Sequence, residues 1–132
     1  MNLLRRAETE LLDIRQSDPD LWSNPKLQTD LEFLHEHLAL HDLLVADFYM
    51  ETKRFSGVES RLTGIMKRYP KFSKMDEVLL RFALLKVAQK RFDDASRLFQ
   101  ELICKFPNSD YVDKAFSELY DIGVTSWERC WR

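Results

Sequence analysis

Three short phrases recur at one spacing, and that spacing constrains the fold more than any other feature of the chain. Lys53-Arg54-Phe55 returns as Lys90-Arg91-Phe92, Arg68-Tyr69-Pro70 as Lys105-Phe106-Pro107, and Asp76-Glu77-Val78-Leu79 as Asp113-Lys114-Ala115-Phe116. Each pair lies 37 residues apart without a gap. A fixed period of this length marks stacked supersecondary units, each burying its apolar face against the next.

Every unit reads as two helices. In the second, Val78, Leu79, Phe82, Ala83 and Leu85 keep a 3–4 spacing, and Asp76 and Glu77 suit a helix start. Lys90 and Arg91 lie where cations favour a helix end. Phe92, Ala95, Leu98, Phe99, Leu102 and Ile103 then form a second stripe, stopped by Pro107. The first unit pairs a helix through Val45, Ala46, Phe48 and Tyr49 with one through Phe55, Val58, Leu62, Ile65 and Met66, and Pro70 follows. A third half-unit runs from Asp110 to Gly123, with Gly123 suited to a left-handed cap.

Upstream, Leu3, Leu4, Ala7, Leu11 and Ile14 predict a short amphipathic helix. Pro19 and Pro25, each after an Asp or Asn, are turn or helix-start signals. No Gly or Pro interrupts Leu27 to Lys53, which predicts one helix of about 27 residues, ~40 Å long. No segment sustains a period of two, and only three Gly in 132 residues exclude a sandwich or barrel. The division expected is one helical repeat domain over 1–132. Its parts are amino-terminal helices to residue 37, about two and a half repeats over 38–123, and a tail over 124–132 that carries Trp127 and Trp131.

The repeats resemble tetratricopeptide repeats. The likeness rests on small residues or Val at the helix crossing (Ala46, Val58, Ala83, Ala95), on Phe99 four residues after Ala95, and on Pro70 and Pro107 twelve residues after Val58 and Ala95. Leu38 to Asp121 is similar in particular to the repeat lipoprotein of the bacterial outer-membrane β-barrel assembly machine (BamD-like). There a long helix enters Val45-Ala46-Asp47-Phe48-Tyr49, then Lys53-Arg54-Phe55, and later helices end in Arg68-Tyr69-Pro70 and Lys105-Phe106-Pro107-Asn108-Ser109. The resemblance implies an all-α fold of helix pairs in a right-handed superhelix, with the long helix leading in.

It also implies a non-catalytic interaction scaffold for outer-membrane protein assembly, bound to the core barrel component. Partners would line the concave face at Leu40, Leu43, Asp47, Met50, Glu51, Glu77, Leu80, Leu84, Val87, Lys114, Ser117 and Asp121. The other reading is a cytoplasmic adaptor or self-associating repeat protein. As written, the chain has no export signal and no lipid-attachment cysteine near its start. The expected place is the periplasmic face of the outer membrane if the family holds, reached through a lipid anchor outside this chain. It is the cytoplasm if the chain is complete.

Chemistry-bearing motifs are few. His37 and His41 share a helix face near His35, but the His-Glu-x-x-His order of a zinc protease is missing, and the three read as surface or packing residues. No phosphate loop, dinucleotide glycine pattern or nucleophile elbow occurs, so neither an enzyme nor a cofactor is expected. Cys104 and Cys130 make no metal spacing and read as a core thiol and a tail thiol. A bond between them would need their Cα atoms within ~7 Å.

The net charge of −2 argues against a nucleic-acid binder. It is unevenly placed: residues 1–37 hold four Lys or Arg against eight Asp or Glu, and residues 50–105 hold thirteen against seven. The run Lys67, Arg68, Lys71 and Lys74 reads as a solvated rim or a contact for an acidic segment or phospholipid head groups.

Overall fold

The computed structural model describes residues 2–125 and Cys130. Among them the chain forms seven helices: α1 (Asn2–Ser17), α2 (Pro19–Trp22), α3 (Pro25–Glu51), α4 (Phe55–Arg68), α5 (Met75–Ala88), α6 (Phe92–Lys105) and α7 (Val112–Asp121). No strand occurs among the described residues. The helices pack in chain order as antiparallel neighbours, α1 on α3, α3 on α4, α4 on α5, α5 on α6 and α6 on α7. This is the tetratricopeptide-like all-α fold, with α3 and α4 as the first pair, α5 and α6 as the second, and α7 as the first helix of a third.

The starts follow local chemistry. Pro19 and Pro25 sit in the first turns of α2 and α3, and the Asp18 and Asn24 carboxyl and amide oxygens accept from Leu21 and Lys26 N–H. The helix ends repeat the 37-residue period in their dihedral angles. Lys53 and Lys90 adopt φ of 58° and 60°, and Gly123 takes φ 91° at the end of α7. In each case the next residue's N–H reaches back five residues: Arg54 to Tyr49 O at 2.8 Å, Arg91 to Lys86 O at 2.8 Å, Val124 to Leu119 O at 2.9 Å. This is the Schellman closure, which satisfies the last carbonyls of a helix. Two of the three left-handed positions are occupied by lysine, which gains the dipole but strains its Cβ.

Two apolar clusters fill the stack. Leu38, Ala39, Leu43, Ala46, Val58, Leu62, Ile65, Tyr69, Phe72, Val78 and Leu85 form the first, between α3, α4 and α5. The second joins Leu79, Leu80, Ala83, Ala95, Phe99, Leu102 and Ile103 to Ala115 and Leu119 of α7. The crossing residues Ala46, Val58, Ala83 and Ala95 are all buried. They let the paired helices approach closely, and large side chains such as Phe99 and Leu62 interdigitate on either side.

Asp42 is the one buried carboxylate among the described residues. Arg61 of α4 binds it at 2.7 Å, and Arg5 of α1 reaches it at 3.7 Å. Glu8 of α1 also meets His35 at 2.8 Å and the half-buried Leu4 packs on the first cluster, so α1 is held by both polar and apolar contacts and buries no residue fully. Each loop from a second helix to the next first helix is tied back. Glu36 accepts from Ser73 N–H and hydroxyl at 2.8 and 2.9 Å, and Asp76 accepts from the Ser109 hydroxyl at 2.5 Å.

Cys104 and Cys130 are joined in a disulfide with Cα atoms 4.9 Å apart, which corrects the reading of two separate thiols. It ties residue 130 to the last turn of α6. Trp127 and Trp131 lie outside the described residues.

Ala95→Phe should overpack the α5–α6 crossing and cost on the order of 1–3 kcal/mol, read as a lowered midpoint in chemical denaturation. Lys53→Gly and Lys90→Gly should each raise stability by ~0.5–1 kcal/mol in the same measurement, because glycine relieves the left-handed strain.

Candidate functional site: the edge shared by the first helices of the repeats

The 37-residue register places matching positions on α3, α5 and α7 in rows. Leu40, Leu44, Asp47 and Glu51 on α3 correspond to Glu77, Arg81, Leu84 and Ala88 on α5, and to Lys114, Glu118 and Asp121 on α7. The row is joined across helices. Arg81 Nε donates to Asp47 Oδ1 at 2.6 Å and Arg81 Nη2 lies 3.1 Å from Glu77 Oε1. The Tyr111 hydroxyl, at the start of α7, donates to the same Glu77 oxygen at 3.0 Å. Lys114 pairs with Glu118 at 3.0 Å. One continuous edge therefore runs over all three first helices.

Of the residues expected on a concave binding face, Leu40, Asp47, Glu51, Glu77, Leu84, Lys114 and Asp121 fall on this edge. Leu43 and Leu80 do not, and that expectation is corrected: they are 2% and 5% exposed and belong to the two cores. They are equivalent to each other and to Ser117, one residue off the edge row, and they point at the second helix of their own pair. Ser117 is exposed on α7, which has no such helix beside it among the described residues. Met50 and Val87 are half-buried against the clusters, and so, on the edge itself, are Leu40 and Leu84, which leaves Leu44 as its exposed leucine.

Leu44, Arg81 and Glu118 belong to the edge but escape a reading by apolar periodicity. Arg81 was findable, because a cation at the repeat equivalent of Leu44, with Asp47 and Glu77 at facing positions, invites an ion-pair staple. The edge carries Asp47, Glu51, Glu77, Glu118 and Asp121 against Arg81 and Lys114, so it is acidic around its Leu40, Leu44 and Leu84 patches. Glu51 and Asp121 have no ion pair among the described residues.

The basic run lies elsewhere. Lys67 and Arg68 are in the last turn of α4, and Lys71 and Lys74 are in the loop that Glu36 holds to α3. All four are exposed, and none has a salt-bridge partner among the described residues. Two open clefts sit at the turns between paired helices, lined in part by Lys53, Arg54 and Phe55, and by the equivalent Lys90, Arg91 and Phe92. His35 is engaged by Glu8, and His37 packs edge-on against the Phe33 ring with centroids 4.2 Å apart. No group of three metal-ligating side chains comes together among the described residues.

Two tyrosines are held in the neutral form. The hydrogen bond to the Glu77 carboxylate raises the Tyr111 pKa above 10, with burial adding to it. Burial raises that of Tyr69, and the Glu8 charge adds to it.

Stacked helix pairs stapled along one edge define a helix-repeat protein of tetratricopeptide type. The sequence profile of the outer membrane lipoprotein family YfiO matches residues 4–84, from α1 into α5, and the chain belongs to that family. No curated protein and no solved structure matches the chain. Among the described residues no helix is long and apolar enough to cross a membrane.

Tyr111→Phe removes one partly buried hydrogen bond and should cost ~0.5–1.5 kcal/mol near neutral pH. Because the folded pKa is the raised one, this contribution is whole below pH 10, the unfolded value, and fades as pH climbs through the folded value. Denaturation of wild type and variant at a series of alkaline pH values should show the gap closing.

Proposed function

We propose that this protein is a non-catalytic scaffold in the assembly of β-barrel proteins at the bacterial outer membrane, with the α3–α5–α7 edge as the concave face that receives a protein partner. The observation that carries the reading is the family match over residues 4–84, which takes in α3 and most of α5, two of the three helices of the edge. The partner favoured is the core barrel component of the assembly machine. A rigid, stapled edge suits this role, since a partner binds it without costly rearrangement.

The Cys104–Cys130 disulfide supports an oxidising compartment, as the periplasm is, over a cytoplasmic adaptor. Leu40, Leu44 and Leu84 would supply most of the affinity, and the carboxylates around them the orientation. The basic run at Lys67, Arg68, Lys71 and Lys74 stands apart from this edge and offers a second, electrostatic contact for an acidic segment or for phospholipid head groups.

The test is co-purification from envelope extract. Wild type should retain the barrel-assembly core component. Leu84→Asp should lose it while staying helical by circular dichroism. The triple change of Lys67, Lys71 and Lys74 to Glu should slow association and alter its salt dependence. A folded wild type that retains no barrel-assembly component removes the envelope role and leaves the adaptor reading.

A further inference from the structure

α7 carries the last third of the edge. Its Lys114, Glu118 and Asp121 complete the rows, and Tyr111 at its start ends the chain of contacts through Asp47, Arg81 and Glu77. It is held less firmly than its equivalent helix. It has 10 residues and buries Ala115 and Leu119, where α5 has 14 and buries Val78, Leu79, Leu80, Ala83, Leu85 and Lys86. A helix this short does not persist alone in water, so α7 is folded only while docked. Opening of such a unit is local and leaves the rest of a stack intact.

The Cys104–Cys130 bond closes around this helix. The chain leaves α6 just after Cys104, passes through all of α7, and reaches its far end about 15 Å away. Cys130 then stands back at the last turn of α6, 26 residues on from its partner. The first repeat has no counterpart of the bond. Cys104 corresponds to Lys67 at the end of α4, and Cys130 to Asp93 in the first turn of α6. The bond thus serves α7 and not the repeat. Cys104 is half-buried and Cys130 exposed, so thiol reagents reach it.

We propose that thiol oxidation completes the edge: the Cys104–Cys130 bond is a redox latch that keeps α7 docked, and with both thiols reduced the α7 part of the partner site is lost. The latch builds on the proposed role of the α3–α5–α7 edge as a partner site. The oxidant is a thiol oxidoreductase in its disulfide form. The Cys130 thiolate attacks one sulfur of that disulfide and expels the other as a thiolate. The Cys104 thiolate then attacks Cys130 Sγ in the mixed disulfide and releases the first sulfur. Two electrons and the two cysteine protons leave with the oxidoreductase, now a dithiol. Partner binding is thereby confined to compartments that oxidise thiols.

Hydrogen exchange read by mass spectrometry tests the latch on the full chain. Amides of α7 are compared with those of α3 and α4 in three samples: wild type oxidised with glutathione disulfide, wild type reduced with dithiothreitol, and Cys130→Ser, which leaves α6 unaltered. Oxidised wild type and Cys130→Ser are also passed through envelope extract, and the retained barrel-assembly core component is measured.

On reduction the α7 amides should exchange at least ~10-fold faster, with roughly a few hundred-fold as the ceiling set by closing a loop of 26 residues. Those of α3 and α4 should not change. Cys130→Ser should match reduced wild type, ignore dithiothreitol, and retain about a tenth as much core component as oxidised wild type, because only its docked fraction binds. Equal α7 exchange in the two redox states overturns the proposal. So does loss of protection in α3 and α4 along with α7, or equal retention by both proteins. If oxidised wild type retains no core component while α7 responds as stated, the latch stands and the assembly role fails.

Discussion

Close approach of paired helices at small side chains is the constraint on which the rest of this structure depends. Ala46 and Val58 share one cluster, Ala83 and Ala95 the other, and all are buried. With no bulk at the crossing, the side chains above and below it mesh at interior density, and a single added ring would force the pair apart. The third repeat departs from this rule. Its equivalent position is Tyr120, 74% exposed, which is too large for such a crossing. The stack changes character there, and the chain beyond α7 is tied to α6 through Cys104–Cys130 instead.

Polar contacts do a different task from the apolar crossings. Asp42, Arg61 and Arg5 gather α1, α3 and α4 around one buried carboxylate. A buried charge of this kind adds little net stability, since its desolvation offsets its attraction, but removing one partner is costly and the geometry it imposes is specific. Glu36 and Asp76 do the same for the loops, each holding a serine of the following connection. Arg81 links successive first helices directly. Angles between neighbouring pairs are thus set by a few directional contacts laid over a non-directional core.

These contacts also shape the surfaces a partner would meet. The Asp47–Arg81–Glu77–Tyr111 chain consumes much of the edge's charge internally and leaves Leu40, Leu44, Leu84 and two carboxylates for recognition. Basic residues gather instead around the ends of α4 and in the loop after it. The acid-rich residues 1–37 do not supply the carboxylates of the edge, and Glu36 of that segment instead holds the loop that carries Lys71 and Lys74.

The 37-residue period, six of the seven helices to within a few residues, the crossing alanines and the glycine cap of α7 were all legible from residue order, because each follows from local periodicity, Pro and Gly chemistry, or repetition. α3, for instance, runs from Pro25 to Glu51, where an uninterrupted helix from Leu27 to Lys53 was expected. The facing of each leucine was not legible. Leu43 and Leu44 are adjacent and chemically identical, yet one is core and the other open, since a shift of one residue turns a side chain by about 100° around the helix. Nor could order in the chain show that Asp42 is buried between two arginines, that Cys130 returns to Cys104, or that Phe48 stands open while its repeat equivalent Leu85 is buried. Each of these depends on how far one helix slides along another. That distance is decided by side-chain meshing and ion pairing between segments remote in sequence, which only the assembled stack contains.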